Sequence, residues 1–253
     1  MNRRDMMPLF IVIAAMIVLN ILNGDFSDFG SWVYRQLLML PGIVIGLTVH
    51  EFAHGLVSDR CGDPTPRAQG RLTLNPAAHI DLIGFLCLFF AGFGWGQPVQ
   101  IDPRYYKHRR MDEFLVSIAG VTMNFIVAVA LAFVLRLIMH SVSAFFSTTT
   151  GDVILNMVQY GIFINLVLMI FNLIPVPPLD GANILAEIVP AVNRFYSRFR
   201  QYGWLILLLL LGTRVLYVPM EALMSAILSV LKNVVWFILR IGVVVGSGGG
   251  TVL

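Results

Sequence analysis

Two histidines and a glutamate, His50, Glu51 and His54, lie within an apolar run that extends from Leu37 to Val57. Ionisable groups are costly in an apolar segment of membrane length, so residues of this kind are candidates for a functional role. Residues four apart lie on one face of a helix, so the two imidazoles can bind a single tetrahedral metal ion. The H-E-x-x-H spacing therefore predicts a zinc hydrolase in which Glu51 takes a proton from a water molecule that the metal acidifies.

The alternative interpretation is a solvated helix face that carries two histidines and a carboxylate by chance. That interpretation suits soluble helices, where water solvates such side chains. An apolar segment offers these groups no water, and a hydrogen-bonded core histidine would not account for two histidines plus a glutamate. The metal-binding interpretation is therefore favoured.

The composition indicates a polytopic α-helical membrane protein. Of the 253 residues, 58% are hydrophobic and only 12% are charged, against roughly a quarter charged in soluble domains. The formal net charge of +3 is typical of basic cytoplasmic loops and indicates no nucleic-acid partner. The two cysteines, Cys61 and Cys87, form neither a disulfide framework nor a metal-ligand spacing, so we expect both to be structural thiols.

We expect about six transmembrane helices in one membrane-embedded domain that covers residues 1–245. They correspond to six apolar runs: Pro8–Leu22, Leu37–Val57, Phe114–Met139, Val153–Ile174, Trp204–Tyr217 and Ala222–Val245. The last run contains Lys232 and is also compatible with a helix in the membrane interface. Residues 246–253 are expected to be a flexible tail or the remnant of an artificial linker.

A further apolar segment, Leu82–Trp95, is too short to cross a membrane comfortably and contains three glycines, which favours a re-entrant segment. Apolar and polar residues alternate on either side of it, at Gly70–Leu74 and Gln97–Ile101. This alternation predicts a small β-sheet or hairpin near the active site. An exposed edge of such a sheet would pair with an extended substrate segment.

The distribution of Lys and Arg orients the chain. If Leu82–Trp95 turns back, the basic clusters at residues 60–71, 104–110 and 194–200 all lie on one side of the membrane. The segment Ser141–Asp152, on the other side, contains no Lys or Arg. The positive-inside rule then places the H-E-x-x-H motif toward the cytoplasm.

A catalytic zinc ion takes three protein ligands, so His50 and His54 need a partner from elsewhere in the chain. Asp180 is the strongest candidate, because it follows an apolar run and ends a segment in which three prolines prevent a regular helix. The alternative is an Asp-Gly turn in which Asp180 caps a helix that starts near Ala182. Three further histidines are weaker candidates: His79, His108 and His140.

Together these motifs resemble the site-2 protease family of intramembrane zinc metalloproteases, in its compact prokaryotic form without PDZ or CBS modules. The resemblance covers about Gly46 to Gly181. It rests on H-E-x-x-H, followed about 130 residues later by the motif N-x-x-P-x-P-x-L-D-G at residues 172–181. The combination and order of the two motifs are more specific than either motif alone.

The resemblance implies that His50, His54 and Asp180 bind one zinc ion and that Glu51 is the general base. It also implies that Asn172 binds the substrate carbonyl group or stabilises the oxyanion, a task for which an amide NH2 is suited. A buried asparagine that bonds between helices is the alternative interpretation of Asn172.

Two other elements match the family less closely. The element at residues 119–124 resembles Gly-Pro-x-x-Asn, except that Val121 stands where the family has proline. Asn124 is expected to contribute a polar contact near the site. The element at residues 75–81 also resembles the family, and we expect its His79 to support the ligands or the local structure rather than to bind metal.

The leading hypothesis is a zinc metalloendopeptidase that hydrolyses a peptide bond within or near a transmembrane segment of a membrane-protein substrate, as a step of regulated proteolysis. We expect a multi-pass protein of a prokaryotic cell membrane, with the lipid bilayer and a transmembrane-helix protein as its partners. One rival is a non-proteolytic membrane zinc hydrolase. Another is a metal transporter or sensor, which would require several binding stations and would leave Glu51 without a role.

Overall fold

The computed structural model describes residues 28–91, 94–141, 148–199, 202–213 and 215–246, together with Ala14 and Val18. Nine α-helices occur in these residues: α1 (Phe29–Arg60), α2 (Thr65–Ala68), α3 (Leu82–Ala91), α4 (Arg109–Ser141), α5 (Thr149–Asn172), α6 (Asp180–Ile188), α7 (Pro190–Phe199), α8 (Gly203–Gly212) and α9 (Tyr217–Gly246). Two single 3-10 turns, Pro76–Ala78 and Pro103–Tyr105, lie in the connections.

Among the described residues, four helical segments are long and apolar enough to cross a membrane: Phe29–Arg60, Arg109–Met139, Thr149–Asn172 and Tyr217–Val235. The prediction of about six membrane-spanning helices is not confirmed, since the described residues contain these four. Helix α8 has ten residues and is therefore about 15 Å long, half of the roughly 30 Å that a bilayer core requires. The predicted first span, Pro8–Leu22, lies outside the described residues apart from Ala14 and Val18.

Helices α1, α4 and α5 pack against one another and form the centre of the fold, and α9 covers α4 and α5 on one side. Helices α1 and α5 cross closely because glycines face each other there. A Cβ atom on Gly42 would lie 2.8 Å from the Cα atom of Gly161. One turn further along each helix, a Cβ atom on Gly46 would lie 3.3 Å from the Oδ1 atom of Asn165.

The predicted re-entrant segment contains one short helix, α3. This helix runs back along α1, since Phe89 makes an edge-to-face contact with Trp32 near the start of α1. The chain then returns, and the N–H of Gln97 donates a 2.7 Å hydrogen bond to the carbonyl oxygen of His79, just ahead of the helix. The two ends of the segment therefore lie side by side.

The predicted strands are wrong: neither Gly70–Leu74 nor Gln97–Ile101 forms a β-strand in the structure. Pro98 has no N–H to donate to a ladder. The N–H of Val99 is used by a side chain, because it donates to Glu51. A strand edge for an extended substrate is accordingly absent from these two segments.

The proline-rich segment between α5 and α6 is non-helical, and residues 173–179 form turns. Helix α6 begins at Asp180, and its N-cap residue, Leu179, makes no side-chain cap. Asp180 is therefore the first helical residue and not the cap of a helix that starts near Ala182. Helix α6 packs against α4, which holds Asp180 at one end of the central helices.

Candidate active site

Three donor atoms from two helices converge on one point. The Nε2 atoms of His50 and His54 lie 3.1 Å apart on consecutive turns of α1. Asp180 Oδ2, at the start of α6, lies 3.1 Å from His50 Nε2 and 3.2 Å from His54 Nε2. The fold thus brings together the three ligands predicted from the sequence, and they form a candidate metal-binding group.

Hydrogen bonds to the other ring nitrogens orient both imidazoles. His54 Nδ1 lies 2.7 Å from the carbonyl oxygen of Val116. A carbonyl oxygen only accepts, so this nitrogen carries the proton and Nε2 keeps its lone pair. His50 Nδ1 lies 2.6 Å from Asn124 Oδ1 in a buried contact that has the same consequence. Both histidines therefore present an unprotonated Nε2, the form in which imidazole binds a metal ion.

The arrangement of these atoms fits a divalent metal ion and is unfavourable without a cation. Two nitrogen lone pairs and a carboxylate oxygen lie within 3.2 Å of one another and repel. Asp180 Oδ2 is buried and accepts no hydrogen bond from any described residue. Donor atoms about 2.0–2.2 Å from a tetrahedral zinc ion are themselves a little over 3 Å apart, close to the distances found here.

Helix α4 leaves room at this point because it carries a glycine there. A Cβ atom on Gly120 would lie 2.5 Å from His54 Nε2 and 2.7 Å from His50 Nε2. Distances below 3.0 Å are essentially never seen for real Cβ atoms, so any other residue would displace the imidazoles. Gly120 lies in the sequence element at residues 119–124, but sequence reasoning assigned it no role.

Asp180 is held as a carboxylate at the start of a short, fixed helix. The positive end of the α6 dipole favours the charged form of its carboxyl group. At the far end of α6, the Arg110 guanidinium donates hydrogen bonds of 2.6 and 3.1 Å to the carbonyl oxygens of residues 187 and 188.

Glu51 lies beside the donor group in a cavity of about 280 Å³, which His50, His54 and Asp180 also line. Its Oε2 atom accepts a 2.9 Å hydrogen bond from the N–H of Val99. This bond orients one carboxylate oxygen and leaves the other able to accept a proton. Most of the remaining lining is apolar and includes Leu47, Trp95, Leu168, Phe171 and Leu207.

The three other predicted site residues lie at different distances from the cavity. Asn172 lines it, as the last residue of α5, and donates one amide hydrogen to the carbonyl oxygen of Leu168 over 2.9 Å. Asn124 is fully buried behind His50. His79 is also fully buried but lies outside the metal-binding group, and its Nε2 atom bonds to the carbonyl oxygen of Thr73 over 2.8 Å.

Sequence reasoning missed three groups that hold this site: the carbonyl group of Val116, the N–H of Val99 and the side chain of Asn165. Backbone groups leave no signal in residue type. Asn165 does leave one, since it is a buried amide within the apolar run Val153–Ile174. Its Oδ1 atom accepts a 3.0 Å hydrogen bond from Asn124 Nδ2, behind the metal-binding group.

Comparison with known proteins agrees with this geometry. The sequence model described as "Peptidase family M50" matches residues 38–212, a range that contains Glu51 and the three donor residues. The protein named "Putative zinc metalloprotease YwhC" from Bacillus subtilis is 38% identical over 216 residues, which cover 80% of this chain and 96% of that protein. The protein named "Putative zinc metalloprotease Rip2" from Mycolicibacterium smegmatis is 30% identical over 72% of this chain and 70% of its own. No solved structure matches the chain significantly.

Proposed function

The chain belongs to peptidase family M50, and on this premise we propose that it is an intramembrane zinc metalloendopeptidase. Its substrate is a membrane protein, in which it hydrolyses a peptide bond within or near a transmembrane segment as a step of regulated proteolysis. One observation carries the proposal. The donor group and Glu51 line a cavity between helices that are long and apolar enough to cross a membrane.

In this proposal His50, His54 and Asp180 hold the zinc ion, the metal that the names of the relatives indicate. Bound zinc supplies Lewis acidity, which polarises a carbonyl group and lowers the pKa of water to about 7. Glu51 accepts a proton from the attacking water and transfers it to the amine nitrogen as the C–N bond breaks. Asn172 donates its second amide hydrogen to the carbonyl oxygen, on which negative charge develops.

The lining of the cavity favours an apolar polypeptide as the substrate. Carbonyl groups of an intact helix are engaged in hydrogen bonds, so the substrate must unwind locally before its peptide bond can be attacked. The apolar walls of the cavity can accommodate the side chains that such an unwound segment carries.

We further propose that the site faces the cytoplasm. His54 lies six residues before Arg60, the end of α1, and Val116 lies seven residues after Arg109, the start of α4. At 1.5 Å per residue the site is about 10 Å from this end of the helices, within a core of roughly 30 Å. The same end carries the basic residues at 60–71 and 104–110, which the positive-inside rule assigns to the cytoplasm.

The geometry does not favour a metal transporter. A transport path requires several binding stations, whereas the part of the chain that the structure describes contains one group of three metal-ligating side chains. Glu51, which is not a member of that group, would have no task in transport. A general base beside a single metal site has a task in hydrolysis.

Substitution of Glu51 tests the proposal. Purified protein in proteoliposomes is supplied with a membrane-protein fraction, and with β-casein as a soluble probe, and new N-termini are identified by mass spectrometry. Wild-type protein should generate new termini within or near transmembrane segments. Glu51→Gln should reduce their rate of formation by about 10²–10⁴-fold while retaining bound zinc. Glu113→Gln, on the surface of α4, is the matched control and should cleave like wild type.

Two outcomes would contradict the proposal. Cleavage of casein alone would identify a metalloprotease without an intramembrane substrate. Full activity of Glu51→Gln would remove Glu51 as the general base.

A further inference from the structure

We propose that Asn165, a fully buried residue of α5, is a positioning residue of the zinc site. Through Asn124 it holds the imidazole of His50 in the tautomer and orientation that bind a metal ion. This inference rests on the zinc site of the proposed function. It adds a residue that belongs neither to the metal-binding group nor to the lining of the cavity.

A series of side-chain amides crosses the three central helices. Asn165 Nδ2 donates a 2.8 Å hydrogen bond to the carbonyl oxygen of Gly161, one turn earlier in α5. Asn165 Oδ1 accepts from Asn124 Nδ2 over 3.0 Å, and the same Nδ2 atom donates to the carbonyl oxygen of Gly46 over 3.1 Å. Asn124 Oδ1 then lies 2.6 Å from His50 Nδ1. Both amides are 0% exposed, so water does not compete for these bonds.

Two backbone carbonyl groups determine the direction of every bond in this series. The oxygen of Gly161 only accepts, so Asn165 presents its NH2 group there and its oxygen to Asn124. The oxygen of Gly46 imposes the same choice on Asn124, whose NH2 group serves two acceptors. The amide oxygen of Asn124 therefore faces His50, and the His50 Nδ1 atom must carry the proton. Its Nε2 atom keeps the lone pair that a metal ion requires.

Loss of Asn165 would weaken the preference for the His50 tautomer that carries its proton on Nδ1. Asn124 would retain one acceptor for its NH2 group, and its amide could rotate. A rotated amide would present NH2 to His50 Nδ1 and favour the tautomer with the proton on Nε2, which leaves that nitrogen without a lone pair for zinc. Hydrogen-bond partners behind metal ligands typically contribute 10–100-fold to metal affinity. Asn165 acts on His50 only through Asn124, so we expect an effect at the lower end of this range.

The experiment measures the zinc affinity of the purified full chain in detergent, by competition of the metal-free protein with a chromophoric chelator. Asn165→Leu, which is close in volume and removes both hydrogen bonds, should bind zinc about tenfold more weakly with an unchanged helix content. Asn165→Asp should stay within about threefold of wild type. A buried carboxyl group at this position is protonated, so it still donates to Gly161 and accepts from Asn124.

Asn156→Leu is the matched control in the same helix. Asn156 Nδ2 also donates to a carbonyl oxygen one turn earlier, that of Asp152, over 2.8 Å. The substitution removes a hydrogen bond of the same kind but leaves the amide series intact, so the zinc affinity should be unchanged. If Asn165→Leu does not fold, Asn165→Thr replaces it, because its hydroxyl group bonds to Gly161 but does not reach Asn124.

Two results would overturn the inference. One is a zinc affinity of folded Asn165→Leu equal to that of wild type. The other is an equal loss in Asn165→Leu and Asn165→Asp, which would make packing and not hydrogen bonding responsible. His50→Ala separates this inference from the proposed function. Zinc binding that persists in His50→Ala would remove the proposed site itself, whereas binding that is lost there but intact in Asn165→Leu would remove only the role of Asn165.

Discussion

The two sides of the active-site cavity are built differently. On the metal side, the three donor residues lie on helices α1 and α6, and each imidazole is anchored by a hydrogen bond to α4. A second side is formed by residues 94–102, called here the covering segment, most of which line the cavity. The covering segment has no regular secondary structure. Its contacts include the Val99 bond to Glu51 and the Gln97 bond to His79.

This difference agrees with what each side must do in a peptidase. Metal ligands need fixed geometry, and helix packing with buried hydrogen bonds provides it. A polypeptide substrate needs room to enter, and a segment without regular secondary structure can move at a lower cost in free energy than packed helices can. The bond between Glu51 and Val99 joins the two sides, so a change in the covering segment would directly affect the proposed general base. Substitutions on the metal side should therefore abolish zinc binding, whereas those in the covering segment should lower turnover and leave zinc in place.

The largest effect is expected for Asp180→Ala, which removes one of the three donor groups. Zinc affinity should fall by more than about 100-fold, since even partners behind the ligands contribute 10–100-fold. Metal content measured by mass spectrometry after dialysis checks this result. Asp152→Ala is the control, because Asp152 also lies in the first turn of a helix but is exposed and far from the donor group in sequence. Unchanged zinc content in Asp180→Ala would remove the third ligand.

A comparable loss is expected for Gly120→Ala, in which the new methyl group would occupy the space beside both imidazoles. We expect zinc affinity to fall about 100-fold. Alanine is the better helix former by roughly 0.5–1 kcal/mol, so general destabilisation of α4 is not the expected cause. Gly30→Ala in α1 is the control, because among the described residues its Cβ atom would have one neighbour, Asp28 Oδ1, at an ordinary distance of 3.6 Å. Normal zinc binding by Gly120→Ala would show that α4 can withdraw from the site.

The three donor residues on the metal side could be predicted from the sequence because their residue types and spacing are typical of metal ligands. His50 and His54 are four residues apart, and Asp180 follows a run of prolines that directs it out of α5. The packing that joins them was not predictable in the same way. Gly120 and Asn165 act through contacts between helices that are distant in sequence, and one sequence does not encode such contacts as a local pattern.

Residues 97–101 of the covering segment were mispredicted as a strand for a different reason. Alternation of apolar and polar residues reports that one face is buried, but a strand also needs a partner that pairs with its backbone. Pro98 removes one donor, and the N–H of Val99 bonds to Glu51. The side chain of a catalytic candidate thus takes the place of a neighbouring strand, which the residue pattern cannot indicate.

A smaller effect, on turnover alone, is expected for Val99→Pro, which removes the N–H that bonds to Glu51. Hydrogen bonds to charged groups contribute about 1.5–3 kcal/mol, so kcat should fall by on the order of tenfold or more. Zinc affinity should be unchanged. Val99→Ala keeps the N–H and should retain nearly full activity. Loss of zinc from Val99→Pro would contradict the division between the two sides.

The smallest effect is expected at the far end of the covering segment, where the buried carboxylate of Asp63 anchors it. Asp63 Oδ2 accepts hydrogen bonds from the N–H of Asp102 over 2.7 Å and from Ser58 Oγ over 2.9 Å. Asp63 Oδ1 accepts from the N–H of Thr65 over 2.9 Å. Asp63→Asn must lose part of this set, because an amide has one oxygen. We expect about a twofold lower kcat, faster amide exchange at Asp102 and unchanged zinc affinity.

The pH dependence of this anchor has a definite sign. Burial raises the pKa of Asp63, but the hydrogen bonds from Thr65, Asp102 and Ser58 outweigh burial and lower the pKa below its ordinary value of 3.8. A carboxyl group with a lowered pKa stabilises the fold above the ordinary value and loses this contribution as pH falls through the lowered one. Protection of the Asp102 amide, corrected for intrinsic exchange, should therefore be constant near neutral pH and fall below about pH 3.8 in wild type. In Asp63→Asn, the protection of the Asp102 amide should not change with pH. A parallel loss of protection in both proteins would assign the acid sensitivity to other carboxyl groups, and the covering segment would then be held at this end by something other than Asp63.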